Sequence, residues 1–147
     1  MSTHDKIKEH LTAALKGGEK ERVGVLRLLL AELHNKEKEK PAGKQSLTEE
    51  ETLAVLKKEV KKRKEAIELF RKGSREDLAK KDEAELKIIA EYLPPEIAPD
   101  EIKAVVDRLF AAGNKEFNTL MRETMRELKG QADGKVVSGI VKERLSK

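Results

Sequence analysis

The chain of 147 residues contains no cysteine, and aromatic residues make up only 3% of it. The lack of cysteine excludes disulfide bonds, thiolate catalysis and cysteine-based zinc sites. No apolar run of the kind that marks a signal peptide lies near the first residue. The longest apolar stretch, residues 23–33, is interrupted by Arg27 and Glu32 and is far shorter than the ~20 residues that a membrane span needs. These absences favour a cytoplasmic protein with no membrane partner.

The composition favours helices. Charged residues make up 41% of the chain and hydrophobic residues 37%, so a core is possible but thin. Alanine, leucine, glutamate, lysine and arginine dominate, and these residues form helices more readily than sheets. The net charge of +4 is mild and evenly spread, so it does not identify a nucleic-acid partner. We therefore predict an all-α fold.

The spacing of apolar residues predicts about four helices before Pro94-Pro95. The first helix is expected at residues 3–16, with Leu15 on its buried side. Thr48 and Glu51 form a capping box that opens the third helix. Ser74 is expected to cap the fourth helix.

Pro94-Pro95 ends the fourth helix, because proline lacks the backbone N–H and clashes with the preceding turn. We place the domain boundary at this point. Residues 1–95 are predicted to form an N-terminal lobe of about four helices. Residues 96–147 are predicted to form a C-terminal lobe of three short helices, the first of which opens at Pro99.

The turn between the last two helices, residues 128–135, is rich in glycine and lysine. Gly130 follows the last apolar position, where we expect a left-handed C-cap. Asp133 is expected to accept hydrogen bonds from the free amides of the next helix. The candidate nucleic-acid contacts in this turn are Lys129, Gly130, Gly134 and Lys135. The alternative is that Asp133 already occupies the amides and repels an anion.

Residues 125–145, which contain this turn, resemble the C-terminal tail of the B subunit of the tRNA-dependent amidotransferase. The stand-alone relatives of that tail are the YqeY proteins. The resemblance to the YqeY family extends over nearly the whole chain through residues 22–31, 59–65 and 91–94. It implies a role around tRNA, because the related tail helps to hold tRNA. The resemblance implies no catalytic activity, because the active sites of the amidotransferase lie in other subunits or domains.

A run of basic residues at 57–64 is the densest positive patch in the sequence. The candidate phosphate contacts in it are Lys57, Lys58, Lys61, Lys62 and Lys64. A solvated helix face is the ordinary alternative. Two arginines are assigned structural roles instead. Arg63 lies near the buried stripe and is expected to snorkel at the lobe edge, and Arg27 is expected to pair with a carboxylate of a neighbouring helix.

The sequence shows no catalytic residues, metal site or cofactor loop. His4, His10 and His34 have no zinc-ligand spacing and are expected to be solvated. No serine lies in a nucleophile elbow. Residues 130–135 superficially suggest a phosphate-binding loop, but the glycine spacing is wrong and no strand precedes it.

Our preferred interpretation is a non-catalytic RNA-binding module that associates with tRNA or another folded RNA. The alternative is a protein-interaction or adaptor module that holds another protein in an apolar groove between the lobes. A second alternative is a component associated with carbon–nitrogen ligase activity, that is, with glutamine-dependent tRNA amidotransferase. Salt dependence separates the first two, because phosphate-driven binding weakens steeply as salt rises.

Overall fold

The computed structural model describes residues 1–129 and 131–147, which form seven helices and no strand. The helices are α1 (Thr3–Gly17), α2 (Lys20–Lys38), α3 (Glu49–Lys72), α4 (Glu76–Ala90), α5 (Pro99–Ala111), α6 (Phe117–Glu127) and α7 (Gly134–Leu145). The predicted all-α fold class is confirmed. Over the described ranges, no helix is both long and apolar enough to cross a membrane.

The chain divides into two compact units, Met1–Leu93 and Pro94–Lys147. The first unit holds α1 to α4 and the second holds α5 to α7. In the first unit, α2 is the most enclosed helix, because its Leu26, Leu29 and Leu33 are fully buried. In the second unit, one apolar cluster draws residues from all its helices: Ile102, Val106, Leu120, Leu128, Ala132, Val137 and Val141.

The expected burial of Leu15 is wrong, since this side chain is 50% exposed. Leu15 lies in the last turn of α1, beside Gly24 of α2. A side chain built on Gly24 would meet no atom within 4 Å. Leu15 and Gly24 line the same open groove, in which Gly24 has no side chain to cover Leu15.

The helices α3 and α4 form a hairpin that extends beyond the main apolar cluster. The part of α3 that packs in this cluster ends at Val60, and the part of α4 that does so begins at Ile88. Arg63 donates hydrogen bonds to Asp82, at 3.4 Å, and to Glu85. The prediction that Arg63 snorkels at the edge is therefore wrong, because these two carboxylates hold its 12%-exposed side chain between the helices.

The predicted cap of α4 is also wrong. Arg75 is the N-cap residue and makes no capping bond through its side chain. Ser74 instead has a φ of 58°, in the left-handed region. It takes this conformation because the chain must reverse directly after α3, and the amide of Arg75 then donates to the carbonyl of Phe70 at 2.7 Å.

Arg22, rather than Arg27, pairs with a carboxylate of another helix. The Arg22 guanidinium donates to Glu91, at the C-terminal end of α4, at 2.7 Å. Arg27 is exposed, because it lies on the outward face of α2, away from the three buried leucines.

The capping box at the start of α3 is confirmed. Thr48 Oγ1 accepts from the Glu51 amide at 3.1 Å, and the Glu51 carboxylate accepts from the Thr48 amide at 3.0 Å. Lys40 adds a 2.7 Å contact to Glu51 and a 2.8 Å bond to the Ser46 carbonyl. The same carboxylate therefore fixes the helix start and ties down the preceding loop.

We expect Thr48→Ala to lower the free energy of unfolding by about 1 kcal/mol, because it leaves helix amides unpaired.

Glu51→Gln tests how much the negative charge of Glu51 contributes to stability. Hydrogen bonding to Lys40 is the main cause that lowers the pKa of Glu51 from 4.5 to about 2. A carboxyl group whose pKa is lower in the folded than in the unfolded protein stabilises the fold at pH values above its unfolded pKa. This stabilisation is lost as the pH falls through the folded pKa. The melting temperatures of the wild type and Glu51→Gln should therefore differ at pH 7 and converge between pH 4.5 and 2; a constant difference would contradict this.

We expect Arg63→Ala to lower the free energy of unfolding in urea by about 2–3 kcal/mol, since it leaves two half-buried carboxylates without their partner. The matched control is Arg75→Ala. Arg75 pairs with Asp77 at 3.3 Å, but both side chains are mostly exposed, so its loss should cost less than about 0.5 kcal/mol. Equal losses in the two variants would show that the Arg63 cluster does not join the helices.

Candidate nucleic-acid interface

The outer face of α3 carries the first group of candidate lysines. The capping box sets the start of this helix, and Leu56 and Ile67 set its buried side. The lysines that lie opposite this side are exposed: Lys57, Lys58, Lys61 and Lys62. We call these four residues the α3 lysine face.

Lys64 differs from the other candidates, because it is half-buried. It lies one turn after Val60 and therefore next to the buried stripe. Lys62 is exposed, but its ammonium lies 3.6 Å from the buried carboxylate of Glu59. Lys57, Lys61 and Lys64 were expected to be exposed as phosphate contacts, and this expectation is wrong for Lys64.

The α3 lysine face is short. Lys57 and Lys62 are separated by about 7.5 Å along the helix axis at 1.5 Å per residue. Exposed Glu65 and Glu68 follow on the same helix and repel an anion. Since phosphates along one strand of a duplex are about 3.4 Å apart in axial rise, the face can contact only about two or three of them.

The second group of candidates lies in the turn between α6 and α7. Its flanking residues Leu128 and Ala132 are buried in the apolar cluster of the second unit. Lys129, Gly134 and Lys135 are exposed, and Gly130 lies outside the described residues. Among the described residues of this turn, Lys129 has a left-handed backbone conformation, with a φ of 55°.

Asp133 caps α7 as expected, since its carboxylate accepts from the Lys135 amide at 2.9 Å. The amide of Lys135 is therefore already used, and a carboxylate lies where a phosphate would approach the helix end. The exposed side chains of Lys129 and Lys135 are the cationic groups of this turn. This arrangement agrees with the alternative given above, in which Asp133 occupies a helix amide and repels an anion.

Two further lysines in the second unit were missed from the sequence. Lys142 lies seven residues after Lys135 on the same face of α7, and its ammonium is 5.9 Å from the Phe117 ring centroid. Lys115 lies 3.7 Å from the Phe110 ring centroid. Aromatic rings position these lysines without neutralising their charge. The seven-residue spacing could have indicated from the sequence that Lys142 lies on the same face as Lys135. The ring contacts could not be predicted in this way, because they depend on the packing of separate helices.

The segments that carry the family resemblance contact each other in the first unit. Arg22 comes from one of them and Glu91 from another, and their hydrogen bond lowers the pKa of Glu91. Next to this pair, His10 Nδ1 lies 2.6 Å from the Tyr92 hydroxyl. His10 is exposed as expected, but its ring also has a partner in Tyr92. Burial is the main cause that raises the pKa of Tyr92.

These contacts fasten the end of α4 to α1 and α2. They do not form a metal site: in the described part of the chain, no group of three or more histidine, aspartate or glutamate residues could hold a metal ion.

Comparison with known proteins identifies the family. The sequence profile of the family described as "Yqey-like protein" matches residues 4–145. The chain belongs to this family. An uncharacterized protein of Schizosaccharomyces pombe is 38% identical to this Yqey-like chain over 88 residues, which cover 60% of the chain and 69% of the relative.

Two further relatives are both named "Altered inheritance of mitochondria protein 41, mitochondrial". The one from Pyrenophora tritici-repentis is 26% identical over 94% of this chain and 78% of its own length. The one from Vanderwaltozyma polyspora is 33% identical over 69% of this chain and 55% of its own length. These names contradict the cytoplasmic location favoured from the sequence, and we withdraw that expectation. The reason for the error is that a lack of cysteine and of a secretory signal fits several compartments.

The left-handed backbone at Lys129 leads to a stability prediction. Glycine has no steric penalty in this conformation, whereas other residues lose about 1–2 kcal/mol. Allowing for the greater freedom of glycine in the unfolded chain, we expect Lys129→Gly to raise the free energy of unfolding by about 0.5 kcal/mol. The matched control is Lys135→Gly, which removes the same charge from the first turn of α7 and should lower stability. Chemical denaturation measures both, and a shift of the same sign in the two variants would contradict the prediction.

Proposed function

We propose that this Yqey-like protein is a non-catalytic helical module that binds folded RNA, with tRNA as the best candidate. The observation that carries the proposal is the α3 lysine face, which presents exposed lysine side chains on a well-anchored helix. The exposed lysines of the second unit, Lys129, Lys135 and Lys142, provide a second basic surface. The resemblance to the amidotransferase tail supports RNA over other polyanions.

The chemistry of these surfaces favours contact with phosphates rather than with bases. Lysine offers a compact charge without the planar fork with which arginine recognises bases and phosphates. No aromatic side chain lies within the run 57–64 to stack on a base. Recognition would then depend on the shape of the RNA backbone. Two or three phosphate contacts in the first unit imply weak binding, with a slope of log K against log salt of about −2 to −3 on a duplex region.

A protein-interaction role is the second candidate, and one observation favours it. Leu69 of α3 is 67% exposed and lies seven residues after Lys62, on the same side of the helix. A large exposed apolar side chain can anchor a protein partner. Such binding would depend much less on salt than phosphate contacts do.

Charge reversal on α3 tests the RNA proposal. The variant Lys57→Glu, Lys58→Glu, Lys61→Glu should bind labelled tRNA more weakly at low salt. The slope of log K against log salt should fall by about one for each phosphate that the variant no longer neutralises. Fluorescence anisotropy between 25 and 200 mM salt, roughly the range over which such contacts are screened, measures both quantities. Helix content by circular dichroism should not change, because the three side chains are exposed.

The matched control reverses three exposed lysines from other helices, Lys8, Lys38 and Lys87. It changes the net charge by the same amount but leaves the α3 lysine face intact, so it should retain most of the affinity and the slope. Equal losses in both variants would mean that only the net charge matters. In that case, or if tRNA did not bind at low salt, the protein-interaction role would replace the RNA proposal.

A further inference from the structure

A concave groove lies in the first unit between the end of α1 and the beginning of α2. It is a shallow groove, open to solvent, with a volume of about 350 Å3, and it is lined by Ala14, Leu15, Gly18, Lys20, Val23, Gly24 and Arg27. This volume is within the range of small-molecule sites, about 300–1,000 Å3. None of these residues belongs to the α3 lysine face.

Gly24 of α2 lines the groove without a side chain, whereas Lys20, Val23 and Arg27 around it carry one. Gly24 lies four residues after Lys20 and three before Arg27, so the three share one face of the helix. Space is open above Gly24, since an added Cβ would meet nothing within 4 Å. Glycine within a helix lowers its stability by about 1 kcal/mol relative to alanine. The sequence thus keeps a less stable residue at the position where a side chain would fill the groove.

One side of the groove is apolar. Leu15 leaves half of its surface uncovered, next to Ala14 and the partly buried Val23. An exposed leucine in a concave surface differs from one on a convex helix face, because a ligand can cover it from several sides.

The other side of the groove is cationic. Lys20 and Arg27 are both exposed, and neither contacts a carboxylate within the described ranges. Lys20 is also the first residue of α2, where the helix dipole adds positive potential. The nearby Glu19 carboxylate lies within 4.0 Å of Arg22, which partly offsets its charge.

We propose that this groove binds a small amphipathic anion, that is, an apolar body carrying one carboxylate, phosphate or sulfonate group. The apolar body would cover Leu15 and Val23 and lie above Gly24. The anionic group would contact Arg27, with Lys20 as a second cation. This site is independent of the proposed RNA surface.

Binding is tested with anilinonaphthalene sulfonate, a fluorescent probe that combines an apolar ring system with one sulfonate. The full chain should bind it saturably with one site. Gly24→Leu should weaken binding at least tenfold because the new side chain fills the groove. The same variant should melt at a higher temperature than the wild type, since leucine favours a helix over glycine; loss of the probe with gain of stability cannot result from unfolding.

The matched control is Gly139→Leu. Gly139 lies within α7, and an added Cβ there also meets nothing within 4 Å, so the variant makes the same change on another helix. It should bind the probe as the wild type does. Arg27→Gln should weaken binding several-fold without changing the melting curve, because Arg27 is exposed.

Competition identifies the ligand chemistry. Decanoate below its micellar concentration should displace the probe, whereas decanol should do so much less effectively, because it lacks the charge. Equal displacement by both would overturn the anionic part of the proposal. Unchanged probe binding by Gly24→Leu would overturn the site itself. The α3 triple reversal should bind the probe normally, so failure here and failure of the RNA proposal are distinguishable.

Discussion

The first unit depends on the burial of one face of α2. Its Leu26, Leu29 and Leu33 have no exposed surface, and α1, α3 and α4 all contact this helix. Burial of each such side chain contributes about 1.5–3 kcal/mol. The chain has only 37% hydrophobic residues, and Ile7, Leu56, Ile88 and Ile89 of the other helices complete the core around α2. The outer faces of the surrounding helices are left to charged residues, which is why exposed lysines occur on α3.

Charge therefore has two different roles in this molecule. Around Arg63, carboxylates of one helix meet the guanidinium of another in a poorly solvated position, where the loss of one partner is costly. On the α3 lysine face, the side chains are exposed to solvent, where charges contribute little to folding. The same residue types thus act in structure or in binding according to their distance from the apolar stripe.

Most of the local structure could be predicted from the sequence, because its causes are local. The capping box at Thr48, the first-turn proline Pro99 and the cap at Asp133 each depend on residues within one helical turn. The outcomes at Leu15 and Arg63 depend instead on what another helix places opposite them, and a single sequence does not contain that pairing. The same limit applies to the site: lysine spacing predicted the α3 face, whereas the ring contact of Lys142 and the groove above Gly24 required tertiary structure.

The α3–α4 hairpin has a consequence for the order in which the molecule opens. Its outer part, residues 61–87, lies outside the apolar cluster that contains α2. It buries two apolar side chains, those of Ile67 and Ala79, and ion pairs also join its helices, including Arg71 with Glu76 and Glu83. Segments with few buried apolar contacts open at lower free energy than the core, so their amides exchange with solvent sooner. The hairpin tip should therefore fluctuate while the base of α3, backed by Leu56, remains closed. A partner that binds the base of the α3–α4 hairpin contacts a rigid surface. A partner that binds the hairpin tip must first order it.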